Sequence, residues 1–315
     1  MNRQSEFDLL LRLHRENMSQ KERSRDIKAP VTLYPMSIEN EYYLDIKEFQ
    51  TVIVNKTFEK LDSRLAKWIK KDSESDDFER FKQELEDELI ALFGATFLWN
   101  SKIANVINSI AQKVFTFNNA QWGKQTEKVI GLPWKVNAEW WIEMEKEWAF
   151  NNYTLIRNLS QEYINKLDVL IVTAIQSYWN YSSLQESIRK LADKVVGYRS
   201  ALIARDQVGN LCAAIWMTQY KEIGLDYYIW ETALDEKVRG NPMGKYPRAV
   251  PSHWVMQGLL MSWSNMGVYS DDLGKSWKAK KGIMERLHVA MAIACRCRPR
   301  PFWNDKIAKI DREIG

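Results

Sequence analysis

From about residue 40 to residue 196, apolar residues recur every three to four positions. Ile103, Val106, Ile107, Ile110 and Val114 follow that spacing, as do Ile164, Leu167, Leu170, Ile171, Ala174, Ile175 and Tyr178. A period near 3.6 gathers such positions on one face, so the pattern predicts helices with one buried stripe. Phe78, Phe81, Leu85, Leu89 and Leu92 run the same way through the acidic stretch Asp72–Glu88. Its carboxylates therefore read as the solvated face of a helix, not as a metal cluster. Gly131-Leu132-Pro133-Trp134 is the clearest break in this region.

The two ends of the chain have a different texture. Residues 5–24 predict a short amphipathic helix, with Ser5 as its cap, Asp8 at the third position, and Phe7, Leu10, Leu11 and Leu13 on the apolar face. The two prolines of Ala29–Pro35 favour an extended linker after it. Such a helix either docks on its own chain or serves as an arm that grips a neighbouring subunit. After Gly197 one more helix is expected over Ser200–Ile223, and then short segments alternate with turn residues. Tyr227–Thr232 is rich in strand formers, and Leu259–Trp263 and Met291–Cys297 are further strand candidates. Pro242, Pro247 and Pro251, with Gly240, Gly244 and Gly258, make the stretch between them a loop. The expected fold is mostly α with a smaller α+β C-terminal domain. The expected divisions are an N-terminal helix and arm over 1–40, a helical domain over 41–196, and an α+β domain over 197–315.

Composition changes this picture in two respects. Fourteen Trp and 13 Tyr are many for 315 residues, and they suit both cores and protein interfaces. A net charge of +4 says little by itself, but its distribution is uneven. Between Lys275 and Arg300, eight basic residues (Lys275, Lys278, Lys280, Lys281, Arg286, Arg296, Arg298 and Arg300) face the single acid Glu285. Three cysteines are too few for a disulfide framework. The first residues lack the apolar core of a signal peptide, and no apolar run approaches the ~20 residues that span a bilayer. These features predict a protein of a reducing cytoplasm with no membrane partner.

Four pieces of the C-terminal part stand in a telling order: Arg199-Ser200-Ala201-Leu202-Ile203-Ala204-Arg205-Asp206-Gln207, then Trp230-Glu231-Thr232-Ala233-Leu234-Asp235-Glu236-Lys237-Val238-Arg239, then Pro251-Ser252-His253-Trp254-Val255-Met256-Gln257-Gly258, and finally His288 with Cys295-Arg296-Cys297. Together they resemble the phage Mu F-like head morphogenesis family of tailed bacteriophages over roughly residues 185–300. Phe150-Asn151-Asn152-Tyr153-Thr154-Leu155-Ile156 resembles a further piece of that pattern. The chain departs from it at Gly240–Val250, an insertion, at Lys237, where Arg is commoner, and at Val289-Ala290, which replace Pro-Gly. The resemblance implies a minor head protein at the portal vertex of the virion. It implies contacts with the portal protein and the viral genomic DNA, and with scaffold or major capsid protein, in capsid assembly or genome delivery. It does not imply an enzyme. Arg199, Arg205, Asp235, Arg239 and Gly258 are the expected structural residues of the motifs, with Asp235 and Arg239 as an ion pair.

The chemistry of the last two pieces leaves alternatives open. In an extended segment Cys295 and Cys297 share a face, and with His253 and His288 they offer four donors to a zinc ion. Equally, the thiols are small core residues and His253 hydrogen-bonds a loop; one residue between the cysteines is fewer than zinc sites usually have. Cys212 reads as a buried helix residue. Lys275, Lys278, Lys280, Lys281, Arg296, Arg298 and Arg300 are candidate contacts to DNA phosphates. The alternatives to a virion component are thus a zinc-stapled nucleic-acid-binding module or a metal-dependent hydrolase. For the hydrolase the sequence offers no convincing general base. Ser252 lies in no nucleophile elbow, and Gly240–Tyr246 is not a phosphate loop.

Overall fold

The computed structural model describes residues 2–24, 29–68, 75–96 and 100–314. Helices α1 (Arg3–Glu16), α2 (Gln20–Arg23), α3 (Met36–Trp68), α4 (Ser75–Thr96), α5 (Asn100–Ile130), α6 (Glu139–Gln176), α7 (Tyr181–Asp193) and α8 (Ser200–Glu222) come first. Strands β1 (Tyr227–Glu231), β2 (Leu260–Ser262), β3 (Val268–Ser270), β4 (Lys278–Ala279) and β5 (Arg298–Pro301) follow, and α9 (Asn304–Ile314) comes last. The fold is mostly α with a small C-terminal sheet, as the residue pattern predicts. Among the described residues no helix is long and apolar enough to cross a membrane.

Contacts gather the chain into two units that do not follow chain order. One comprises residues 1–36, 112–140 and 208–315, and the other 37–111 and 141–207. The three consecutive domains expected from the sequence (1–40, 41–196, 197–315) are not this grouping.

In the all-helical unit the acidic run is helical from Ser75 onward; residues 72–74, and the side chains of Phe78 and Leu92, lie outside the described part. Phe81, Leu85 and Leu89 are buried, while Arg80–Glu84 and Lys82–Glu86 pair on the surface one turn apart. Asn152 is fully buried with its amide satisfied. Its Oδ1 accepts from Tyr42 at 2.8 Å, and its Nδ2 donates to the Trp148 carbonyl at 2.7 Å and to Gln207 Oε1 at 3.2 Å. Gln207 ends the first motif, so the two motif pieces of this unit meet in its core. Arg199 and Arg205 make ion pairs with Glu162 at 2.8 Å and Glu39 at 3.5 Å.

In the other unit the N-terminal helix is docked on its own chain. Its cap is Asn2, which accepts from Ser5 N, and not Ser5 itself; the capping box belongs to Ser19 and Glu22 of α2. Phe7 and Leu11 are fully buried, each burial worth roughly 2 kcal/mol. Phe7 meets Trp134 edge-on at 5.2 Å and stacks on Trp303 at 6.0 Å. Arg15, 1% exposed, donates from Nε and Nη2 to the two carboxylate oxygens of Asp311 of α9. The extended segment after α2 is clamped as well. Gln125 Nε2 donates to Thr32 Oγ1 at 2.9 Å and to the Pro30 carbonyl at 3.2 Å, and Thr32 Oγ1 donates to the Pro299 carbonyl. Many tryptophans are absorbed here: Trp303 stacks on Trp122, Trp122 on Tyr220, and Tyr220 meets Trp263 edge-on.

The sheet is antiparallel in the order β4-β3-β2-β1-β5. β1 lies between β2 and the edge strand β5, with Ile229 opposite Leu260 on one side and Arg300 on the other. Alternate residues face opposite ways. Ile229 therefore joins Leu260 and Phe302 in one small core, while Tyr228 and Trp230 look toward the segments that carry His288 and His253. The expected strand Met291–Cys297 is turns over residues 291–294, with Ala290 and Ala294 at left-handed φ values of 65° and 57°, and backbone outside the sheet over 295–297; pairing begins only at Arg298.

Candidate metal centre

His253 stands at the mouth of the short 3-10 turn Trp254–Met256. It is placed by backbone bonds: the N–H groups of His253 and Trp254 both donate to the Arg239 carbonyl, at 3.0 and 3.1 Å. Ser252 N donates to the Ile283 carbonyl at 2.7 Å, which lays the segment before Glu285 alongside. Gly258, at φ 78°, closes the turn and donates to the Trp230 carbonyl at 2.8 Å. Arg298 and Gln257 complete the junction at Thr232: the Arg298 guanidinium donates to its carbonyl at 3.3 Å, and its N–H donates to Gln257 Oε1 at 2.7 Å.

Within this frame His253 Nδ1 lies 3.4 Å from the sulphur of Cys295 and 3.4 Å from that of Cys297. One donor atom from each of the three residues falls within 4.8 Å of the others, and all three residues are buried. Two sulphurs and one imidazole nitrogen at this separation can hold a metal ion. The set is soft, matched to zinc or a similar thiophilic cation and not to magnesium or calcium. Behind it, His253 Nε2 lies 3.2 Å from Glu285 Oε2, and Trp230 meets the imidazole edge-on at 5.6 Å.

The charges at the cluster follow from this geometry. Burial alone would depress His253, but its hydrogen bonds with Cys295 and Glu285 outweigh that and hold its pKa above the ordinary value. Burial opposes ionisation of Glu285 too, yet the His253 bond and the Leu287 N–H bring its pKa down to about 2. Burial also disfavours a thiolate at Cys295, and hydrogen bonds from Cys297 and His253 overcome it, so its pKa falls well below the usual thiol range. Cys297 moves the other way, through burial and the neighbouring Cys295 charge. The two thiols are thus pushed apart, Cys295 toward the thiolate and Cys297 toward the thiol, whereas a divalent cation favours both thiolates.

The residues expected from sequence divide clearly. His253, Cys295 and Cys297 come together. His288, the expected fourth donor, does not join them: its Nδ1 faces Tyr228 Oη at 3.3 Å and its ring packs on Trp263 at 4.9 Å. Burial and the Lys280 charge bring its pKa down to about 4, so it is neutral. Asp235 and Arg239 are not an ion pair. The Asp235 carboxylate accepts from Lys237 N at 2.9 Å, and Arg239 donates to the Ile293 carbonyl at 3.2 Å. Cys212 is fully buried, as expected.

The basic run is not a free phosphate-binding surface throughout. Lys280 is 6% exposed, and burial brings its pKa down to about 8. Lys278 is salt-bridged to Asp271 at 2.7 Å, Arg300 to Glu231 at 2.8 Å, and Arg298 serves Thr232. Arg296 is half-buried. Lys275, Lys281 and Arg286 are exposed. Glu285, which adjoins His253, has no assigned place in the sequence reading; its signal there is its position as the one acid in that basic run.

The cluster also has the parts of a thiol nucleophile, a base and an orienting carboxylate. With Cys295 and Cys297 only 4% and 3% exposed, however, no acyl substrate reaches either sulphur in this conformation.

No family model matches the chain, and no solved structure matches it. It is similar to an uncharacterized protein of Haemophilus influenzae, 23% identical over 183 residues that make up 57% of this chain and 38% of that protein. The chain therefore spans well under half the length of this relative.

Proposed function

We propose that this chain is a minor head protein of a tailed phage whose C-terminal region is stapled by a zinc ion at His253, Cys295 and Cys297. One observation carries the reading: three motif pieces far apart in sequence converge on one buried cluster. Trp230 and Arg239 come from the first, His253 from the second, Cys295 and Cys297 from the last. Three consecutive motifs that resemble one family and also close into one site are better explained by a shared role than by chance. The donors fit zinc in type, and a staple suits a five-stranded sheet whose strands are two to five residues long. The role is structural, because the cluster is closed to substrate and Glu285 is engaged with His253. Lys275, Lys281 and Arg286 are the residues left for the packaged genome, and the portal protein is the expected protein partner. The test is mass spectrometry of purified particles from cells expressing the whole phage gene set. The reading predicts the chain at far below major-capsid copy number, co-purifying with the portal; particles that form normally and lack it would overturn the virion assignment.

A further inference from the structure

We infer that Glu285 is the positioning residue that makes His253 a metal donor and sets the affinity of the site; this rests on the metal reading above. A neutral imidazole carries one proton on either nitrogen, and only the unprotonated nitrogen can bind a cation. In His253 the nitrogen facing both sulphurs is Nδ1, so metal binding requires the proton on Nε2. Glu285 Oε2 is the group opposite Nε2, at 3.2 Å, and an ionised carboxylate only accepts hydrogen bonds. Its other oxygen is already occupied by the N–H groups of Arg286 at 2.9 Å and Leu287 at 3.1 Å. The carboxylate is thereby fixed in place and aimed at the imidazole.

The backbone puts it there. Ser252, next to His253, forms an isolated parallel bridge with Met284, next to Glu285. Donor and orienting residue are thus neighbours of one paired position, although they lie 32 residues apart. Carboxylates behind metal-bound histidines select the tautomer and raise the basicity of the donor nitrogen. Glu285 alternatively serves only to pair with a protonated imidazole. In that case it opposes metal binding, because the proton it favours sits where the ion must go. The two roles differ in sign, and that makes them separable.

The experiment uses the full chain, stripped of metal and reloaded with zinc, with affinity read by competition with a chromophoric chelator. Glu285→Ala is expected to weaken zinc binding by roughly 10–100-fold. Glu285→Gln, which keeps an acceptor but no charge, should fall between it and the wild type. Cys297→Ser serves as the reference for loss of a donor. Melting of metal-free samples separates positioning from packing: the rise in Tm on zinc loading should shrink in the Glu285 variants. If Glu285→Ala does not fold, the Gln variant decides alone. Zinc bound as tightly as in the wild type, or more tightly, by a folded Glu285 variant overturns the inference and leaves the metal reading standing. A wild type that binds no zinc overturns both.

Discussion

The backbone N–H of Cys297 donates to the sulphur of Cys295 at 3.4 Å. This bond explains how cysteines only two positions apart can share a site. The chain curls around the first sulphur, and the curl presents the second to the same His253 nitrogen. A hydrogen bond to a thiolate favours its charged form, so the backbone prepares Cys295 to bind a cation. The turn through Ala294 leads into the pair, and beyond it Cys295 and Cys297 are both buried with Arg296 half-buried between them.

His288 makes the apo protein acid-sensitive. Its pKa in the folded chain is about 4, below the ordinary value of 6.5, so the unfolded chain binds the proton first. The stabilisation from keeping it neutral is complete above pH 6.5 and is lost as pH falls toward 4. Urea midpoints of metal-free protein should decline across that window, and His288→Gln should flatten the decline. An equally steep decline in the variant would assign it elsewhere.

The docking of α1 on α9 rests on Arg15 and Asp311. Arg15→Ala should destabilise the protein by roughly 2 kcal/mol, less than for a fully buried pair because Asp311 is about one-third exposed. A chemical denaturation curve measures it, and an unchanged midpoint would mean that Phe7, Leu11 and the Lys306–Asp8 and Arg12–Glu313 pairs suffice to hold α1.

Gly209 of α8 lets a turn come close. A Cβ there would lie 3.2 Å from the Ala290 carbonyl and 3.4 Å from the Cys295 carbonyl. Gly209→Ala should cost about 1–3 kcal/mol by overpacking and lower zinc affinity with it. Thermal melting with and without zinc reads both effects; wild-type values for each would show that the turn yields freely.

DNA binding, if the genome is a partner, should depend on Lys275, Lys281 and Arg286. Reversing these three to Glu should weaken binding alike on all sequences and flatten its salt dependence. Full-strength binding by that variant would assign the surface to a protein partner. Any variant carrying Lys280→Glu is expected to fail by folding, since it places a carboxylate in a buried position near Glu285.

Much of this was legible locally. Helical spacing identified the buried stripe of α4, and strand formers marked β1, because both signals are carried by neighbouring residues. What the pattern could not show was return of the chain. Residues 112–140 join α1 and the C-terminal part in one unit, and contact over such a distance leaves no periodic trace. Three of the four site residues were nominated by chemistry alone. His288 was misassigned because a histidine beside Tyr228 and Trp263 looks, in sequence, like one aimed at a metal. Glu285 was passed over because its role depends on the bridge between Ser252 and Met284, a pairing across many residues.

The most direct test is the metal content of the full chain purified without chelators, measured by elemental analysis beside Cys295→Ser, Cys297→Ser and Cys212→Ser. The account predicts about one equivalent of zinc in the wild type and in Cys212→Ser. It predicts loss of zinc and a lower Tm in the other two, because formation of the site is linked to folding. A metal-free wild type, with Cys295→Ser and Cys297→Ser melting where it melts, would contradict it and make the cluster ordinary core packing.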